Sequence, residues 1–274
     1  MKELTAEELK KIQSLEFLIL KEIKRICDKH GIKYFIAYGS LIGAVRHKGF
    51  IPWDDDIDIG MTRSEYDKFV EIARRELQPE FSLISSRFDD DVAIFFSKIM
   101  LNGTILRSLQ QPENTSKCGL WVDVFPYDNI HDNKLLALIY YLKLNFYVVL
   151  YSLKLGYKNG TTKIKRFVAV LMKACFFFIP KKYLRNRIVN YPYKLNKKGT
   201  GKKAYLTCIY GLKKESQDSK RFDEYTDIEF KGESFMTIKD YDAYLRQIYG
   251  DYMQIPSAKN RRSHQIAELD FGKY

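Results

Sequence analysis

Residues 32–60 read IKYFIAYGSLIGAVRHKGFIPWDDDIDIG. The apolar run Ile32–Tyr38 predicts a buried strand that breaks at Gly39-Ser40. A turn or short helix, SLIGAVR, follows, and the loop HKGFIPW leads into a second strand that opens on acids. From Asp56 to Ile59 acid and isoleucine alternate with the period of an extended chain. That period sets Asp54, Asp56 and Asp58 on one face and Asp55, Ile57 and Ile59 on the other. Carboxylates sharing a face repel unless a cation sits among them. A hard divalent ion such as Mg2+ takes carboxylate oxygens and keeps positions open for phosphate. Taken alone, an acidic surface turn explains a DDD run equally well.

Two further features favour the cation. Ser40 stands sixteen residues before Asp56, after Gly39 and directly behind an apolar strand. A Gly-Ser turn that opens a helix presents free backbone N–H groups and a hydroxyl to an anion, and glycine lets the backbone approach it closely. The stretch GLWVDVFPYD at 119–128 places Asp123 between Val122 and Val124. A lone carboxylate inside an apolar strand is costly without a partner, and a cation held by Asp56 and Asp58 supplies one.

Outward from this block, Thr5 and Glu8 predict a capping box for a helix reaching about His30. Leu9, Ile12, Leu15, Ile19, Ile23 and Ile26 form its apolar stripe and Gly31 stops it. Thr62 and Glu65 are expected to cap another helix with Tyr66, Phe69, Val70 and Ala73 inward. Strands are expected near Val92–Met100 and Gly119–Phe125, the second ended by Pro126. Helices fill about 133–190, and a polar loop covers Asn196–Lys203. A strand at Tyr205–Tyr210 and a helix at Thr237–Tyr249 complete the chain.

The chain has 274 residues, 46% of them hydrophobic, which excludes global disorder and allows one large domain or two small ones. Its cysteines, Cys27, Cys118, Cys175 and Cys208, form no CxxC pair, so neither a zinc module nor a disulfide scaffold is expected, and all four are read as reduced, small apolar side chains. The N-terminus lacks the apolar segment of a secretory signal, and a cytoplasmic chain is expected. Between Lys134 and Lys214 there are nineteen Lys or Arg and no acid, so that of the net +12 the rest of the chain carries −7. This basic span is also the most apolar, with LLALIYYLKLNFYVVLYSLKLGY at 135–157. Lys143, Asn145 and Lys154 interrupt it, which argues against a bilayer-spanning helix and for helices lying on an anionic membrane surface. Core helices with basic outer faces are the plainer alternative. No nucleic-acid motif is present, and no nucleic acid partner is expected.

The Gly39-Ser40 turn, the Asp56-x-Asp58 pair and Asp123 resemble the nucleotidyltransferase superfamily pattern. The longer run 36–60, with GLWVDVFPYD and the tail YDAYLRQIYGDYMQIP, is similar to the LicD family of phosphocholine and fukutin-related phospho-alcohol transferases. The resemblance implies transfer of a phospho-alcohol from a CDP-linked donor, CDP-choline or another CDP-alcohol, to a glycan hydroxyl. The acceptor would be a cell-surface precursor of teichoic acid or lipooligosaccharide type, lipid-linked in some cases. It further implies Mg2+, with Mn2+ as a substitute, held by Asp56, Asp58 and Asp123, with Asp54 as an additional candidate. Asp123 would also accept the proton of the acceptor hydroxyl. Gly39, Ser40, Arg46, His47 and Lys98 are the candidate donor-binding residues. Trp53 is read mainly as packing, Asp55 as support, Asp128 as a turn former, and His264 as a weak candidate in a basic tail. His30 and His131 are assigned nothing.

The expected fold is α/β (α+β): a nucleotidyltransferase-like mixed sheet with flanking helices, plus a basic, mostly helical region. The divisions fall at 1–130 for the catalytic core, 131–204 for the basic region at the membrane or acceptor, and 205–274 for a segment packing back on the core. The alternatives are a nucleotidyltransferase acting on RNA, protein or a small molecule, and a non-catalytic membrane-associated binding protein. The alcohol transferred is not legible in the sequence.

Overall fold

Thr5 opens the first helix, α1 (Ala6–His30), through a reciprocal pair of bonds. Its hydroxyl accepts from the Glu8 amide at 3.1 Å and its amide donates to the Glu8 carboxylate at 2.9 Å. Gly31, at φ +59°, ends the helix in the left-handed conformation that glycine adopts without strain. The computed structural model describes residues 4–109, 111–112, 117–157, 163–208, 210–257, 261 and 264–274, and of 163–166 the backbone alone.

The strand expected over Ile32–Tyr38 is cut to two residues, β1 (Phe35–Ile36), because Tyr38 turns to φ +47° and starts α2 (Tyr38–His47). Then come β2 (Ile57–Thr62) and α3 (Arg63–Glu76), which buries the expected Tyr66, Phe69, Val70 and Ala73. The expected cap on α3 does not form: Thr62 Oγ1 meets Ser64 Oγ at 3.3 Å, and Glu65 is drawn to the Lys33 amide at 3.1 Å. Strands β3 (Phe81–Ser85), β4 (Ser97–Leu101), β5 (Ile105–Ser108) and β6 (Trp121–Asn129) follow.

The main sheet runs β1-β2-β6-β4-β3, with β2 and β6 parallel and the other neighbours antiparallel, so the mixed sheet with flanking helices is as expected. Pro126 does not end β6. Pairing with β4 stops at Val124, and β7 (Lys202–Ala204) takes over only at Asp128, so the prolyl nitrogen falls in a gap on that side where no donor is required.

The acid-free span forms α4 (Lys134–Lys154), α5 (Lys163–Cys175) and α6 (Lys181–Asn196). Asn133 caps α4 by accepting from the amides of Leu135 and Leu136. Leu144, Leu150, Tyr151, Leu184 and Ile188 build a hydrophobic cluster separate from the main core. Among the described residues α4 alone is long and apolar enough to cross a membrane, by length and composition. One face of it is nonetheless tied to the protein: the Tyr141 hydroxyl donates to Cys208 O, Asn145 to Leu206 O, and Tyr151 to Asp90 O.

The remainder was less accurately anticipated. Residues 205–208 turn instead of forming a strand, and are followed by α7 (Leu212–Glu215) and β8 (Gln217–Asp218), which pairs with β7. A hairpin, β9 (Tyr225–Phe230) and β10 (Glu233–Ile238), occupies Thr237, so α8 starts at Tyr241 and ends at Tyr249. Strand β11 (Ile266–Asp270) pairs with β5. Tyr244 of α8 is fully buried, with its hydroxyl 2.8 Å from that of Tyr127. All four cysteines are free, as expected; Cys27 and Cys208 are buried, whereas Cys175 is exposed at the end of α5.

Candidate active site

The parallel pairing of β2 with β6 sets Asp58 beside Asp123, and the antiparallel pairing of β6 with β4 sets Asp123 beside Lys98. Cross-strand partners share a face, so these three side chains emerge on the same side of the sheet. Ile57, Ile59, Val122 and Val124 occupy the other side, fully buried. Lys98 Nζ donates to Asp123 Oδ1 at 2.7 Å and lies 3.8 Å from the Trp121 ring centroid. Asp56, Asp58 and Asp123 together line a cavity of about 270 Å³.

Ser40, three residues into α2, is buried, and its Oγ accepts from the Asp58 amide at 2.8 Å. It therefore ties the start of α2 to the acid-bearing strand. Ala37 precedes α2 without a capping side chain, which leaves first-turn amides at the N-terminus of α2 without intrahelical partners. Gly39 also lies close to a carboxylate of the protein itself. A Cβ there would stand 2.9 Å from Asp54 Oδ2, so glycine makes room for it.

The acidic run is not extended throughout. The strand begins at Ile57, and Asp54, Asp55 and Asp56 precede it in irregular backbone. Asp55 is buried and accepts from the His264 amide and ring Nδ1, each at 3.2 Å, while His264 Nε2 lies 3.9 Å from Asp56 Oδ2. His264, a weak candidate from sequence, arrives from the far end of the chain, and no local pattern could have signalled its partner.

Burial first, and then mutual repulsion, hold Asp54 and Asp58 well above the usual carboxylate range. Asp56 is raised too, chiefly by burial, with His264 pulling against it. Burial opposes the charging of His264, but the Asp55 hydrogen bond and the Asp56 and Asp55 charges lift it to about 9. Glu16 of α1 belongs to the same field: it is buried and raised by burial and by Asp56, Asp55, Asp54 and Asp123. Its Oε2 has no hydrogen-bond partner among the described residues. An acid four residues after Ile12 in an otherwise apolar helical stripe was the available signal for it.

Carboxylates crowded at this density, offset by Lys98 and His264, make a donor set that suits a hard divalent cation. Among the described residues, the ligand atoms that approach within 4.8 Å of one another are those of Asp55, Asp56 and His264. Without a metal the His264 imidazole, lifted to about 9, is a charged donor near neutrality, and it would have to lose that proton to ligate. The all-oxygen group of Asp56, Asp58 and Asp123 is the chemically better fit for Mg2+.

Other candidates lie elsewhere. Arg46 donates to the carbonyls of Tyr252 at 2.9 Å and Gln254 at 3.3 Å, and its Nε donates to His47 Nε2 at 2.9 Å. Both side chains leave the last turn of α2, and neither lines the acid cavity. Trp53 carries the Arg261 guanidinium 4.2 Å from its ring centroid. Asp128, expected in a turn, lies in β6 and holds Arg63 through two 2.7 Å bonds. His30 bonds Glu76 at 3.0 Å, and His131 packs edge-on to Tyr140. Arg262 of the basic tail lies outside the described residues.

Comparison with known proteins was informative. The family model described as LicD/FKTN/FKRP, nucleotidyltransferase domain, matches residues 31–136. The lipopolysaccharide cholinephosphotransferase LicD of Haemophilus influenzae is 30% identical over 98% of both chains. An uncharacterised protein of Rickettsia prowazekii is 42% identical over 72 residues, 26% of this chain and 25% of its own. Human ribitol 5-phosphate transferase FKRP is 44% identical over 36 residues, 13% of this chain and 7% of its own.

Proposed function

The chain belongs to the LicD family, an enzyme family of phospho-alcohol transferase type, and from that premise we propose the reaction. The protein carries a phospho-alcohol, phosphocholine foremost, from a CDP-linked donor to a hydroxyl of a cell-surface glycan precursor of teichoic acid or lipooligosaccharide type. The observation that carries this is the in-register neighbourhood of Asp58 and Asp123 at one cavity beside the opening of α2, with Lys98 paired to Asp123 from the next strand.

In this reading the bond that forms joins the acceptor oxygen to the phosphorus bearing the alcohol. The bond that breaks is the pyrophosphate bridge, and CMP leaves. Asp56, Asp58 and Asp123 would hold Mg2+, or Mn2+ in its place; when bound, it neutralises charge on the pyrophosphate and on departing CMP. Ser40 fixes the Asp58 backbone and keeps the start of α2 against the acids. Lys98 orients Asp123 through Oδ1, leaving Oδ2 for metal or for the proton released by the acceptor hydroxyl. Asp55 holds the His264 imidazolium close to Asp56, where it lessens the repulsion of the empty cluster. Arg46 braces the C-terminal segment through the carbonyls of Tyr252 and Gln254, and His47 accepts from Arg46 Nε.

The site of action in this proposal is the cytoplasmic face of the membrane. Leu135, Leu142, Phe167, Val170, Phe177 and Phe178 are all more than half exposed on α4, α5 and the turn after α5, within the acid-free span. Apolar side chains among cations with no anion suit a surface of anionic lipid, where a lipid-linked acceptor would be met.

The deciding experiment supplies Mg2+ with CDP-choline, or with nucleoside triphosphates, and measures which is consumed. CMP release from CDP-choline, absent in Asp58→Ala with its fold intact, is expected. Consumption of triphosphates instead would replace this reading by nucleotidyl transfer.

A further inference from the structure

The cavity that receives the three carboxylates has a second wall, and it is made of rings. Phe96, Phe125, Tyr205, Tyr38 and Tyr210 line it beside Asp56, Asp58 and Asp123. Phe125 is the centre of the group, with ring centroids 4.8 Å from Phe96, 4.8 Å from Tyr205 and 5.4 Å from Tyr38, the last nearly perpendicular at 89°. Tyr210 stacks on Tyr38 at 5.8 Å.

Two of the three tyrosine hydroxyls are committed away from a ligand. That of Tyr38 donates to Glu215, a buried acid of α7, and that of Tyr210 lies 2.8 Å from the hydroxyl of Tyr249. What these residues offer is therefore π-surface. Apart from the carboxylates and the Tyr205 hydroxyl, the polar residues that line it among the described residues are Thr207 and Cys208. A polyol such as ribitol needs several hydrogen-bond partners, because each buried hydroxyl left without one is costly. A quaternary ammonium has no hydrogen to donate. Its methyl groups are satisfied by ring faces, and its charge is attracted by their quadrupoles.

We propose that the wall of Tyr38, Phe96, Phe125, Tyr205 and Tyr210 is the subsite for a quaternary ammonium head, and that it selects a choline-type phospho-alcohol over a polyol. The proposal rests on the transferase reading above and deepens it at the same cavity. It also has the right layout. The acids that would govern the phosphate end and the rings that would take the ammonium end are adjacent, as the two-carbon linker of phosphocholine requires.

The test compares phosphocholine with its uncharged isostere, 3,3-dimethylbutyl phosphate, for binding to the full chain in Mg2+ by calorimetry. The two have the same shape and phosphate, so their ratio reads the positive charge alone. A preference for phosphocholine of about ten-fold or more is expected from several rings acting together. Equal affinities would overturn the proposal. In Tyr210→Leu and Phe96→Leu, checked for fold by circular dichroism, the preference should fall towards one, and a folded variant that keeps it would also overturn the proposal. If either variant fails to fold, the ratio for the unaltered protein still decides. Clear preference for phosphocholine without turnover of any CDP-alcohol would uphold the subsite and defeat the transferase reading. Turnover of CDP-choline without the preference would do the reverse.

Discussion

Asp58 and Asp123, sixty-five positions apart in the chain, are direct neighbours across two parallel strands, β2 and β6. Parallel pairing with a shared face is what brings them together, and Lys98 from the antiparallel strand β4 completes the row. The row is electrostatically unfinished: burial and like charge keep Asp58 and Asp56 raised in spite of the lysine. Several consequences can be measured.

Neutralising one acid should help the fold and harm the chemistry. Asp58→Asn removes a repelling charge, so its thermal midpoint without metal should lie above that of the unaltered protein. Its rate of CMP release should fall by about a hundred-fold or more, in line with loss of a group that stabilises developing charge. Mg2+ at a hundred times its dissociation constant should stabilise the unaltered protein by about 2.7 kcal/mol, and the variant far less. Equal metal stabilisation of the two would remove Asp58 from the site.

The imidazole of His264 should titrate near pH 9, followed by the ring nitrogens in NMR. Asp55→Asn takes away its principal hydrogen bond and charge partner and should return the midpoint towards the usual histidine value. An unchanged midpoint would mean that Asp55 does not hold the ring in solution.

Glu215 gives a stability signature with a definite sign. Burial pushes its carboxyl from an ordinary 4.5 to about 7, against the hydroxyls of Tyr38 and Tyr127 that favour the charged form. The folded protein thus holds this proton more tightly than the unfolded chain. Its contribution is full below pH 4.5, is lost as pH rises to about 7, and is constant above. The loss should be about 3 kcal/mol. Urea titrations of Glu215→Gln, which retains an acceptor for Tyr38, should lack this component, and parallel pH profiles for the two proteins would refute it.

Two glycines of α2 should respond differently to alanine. At Gly43 a Cβ would lie 2.3 Å from Gly49 O and 3.0 Å from Ile51 N, where only backbone can yield, and a cost of about 2 kcal/mol or more is expected. At Gly39 the obstacle is the tip of Asp54, so stability should change less while metal affinity falls as that carboxylate is displaced. The contrast is read by denaturation for one and by metal titration for the other.

Vesicles of anionic lipid should bind the protein at low salt and release it as salt rises. Phe177→Ser with Phe178→Ser, at rings 76% and 67% exposed, should weaken binding without altering stability. Indifference to such vesicles at low salt would end the membrane proposal. The side chains of Lys163, Lys165 and Arg166 lie outside the described residues, so these phenylalanines are the better probes.

The sequence by itself determined what is local. The capping box and glycine stop of α1, the inward face of α3 and the acid-bearing strand β2 follow from spacing and short-range bonds. The run at 36–60 and Asp123 were enough to single out Asp56, Asp58 and Asp123, which line one cavity, as a candidate group. It could not supply what depends on pairing between distant segments. The continuation of β6 through Pro126 depended on where β4 stops and β7 begins, and the hairpin β9–β10 displaced the start of α8. Asp55 met His264 across more than two hundred residues, and five rings converged on the carboxylates from the bend before β4, β6, the start of α2 and the segment after β7. Strand register and close packing are properties of the assembled chain, fixed by which apolar surfaces can be buried together, and no local period encodes them.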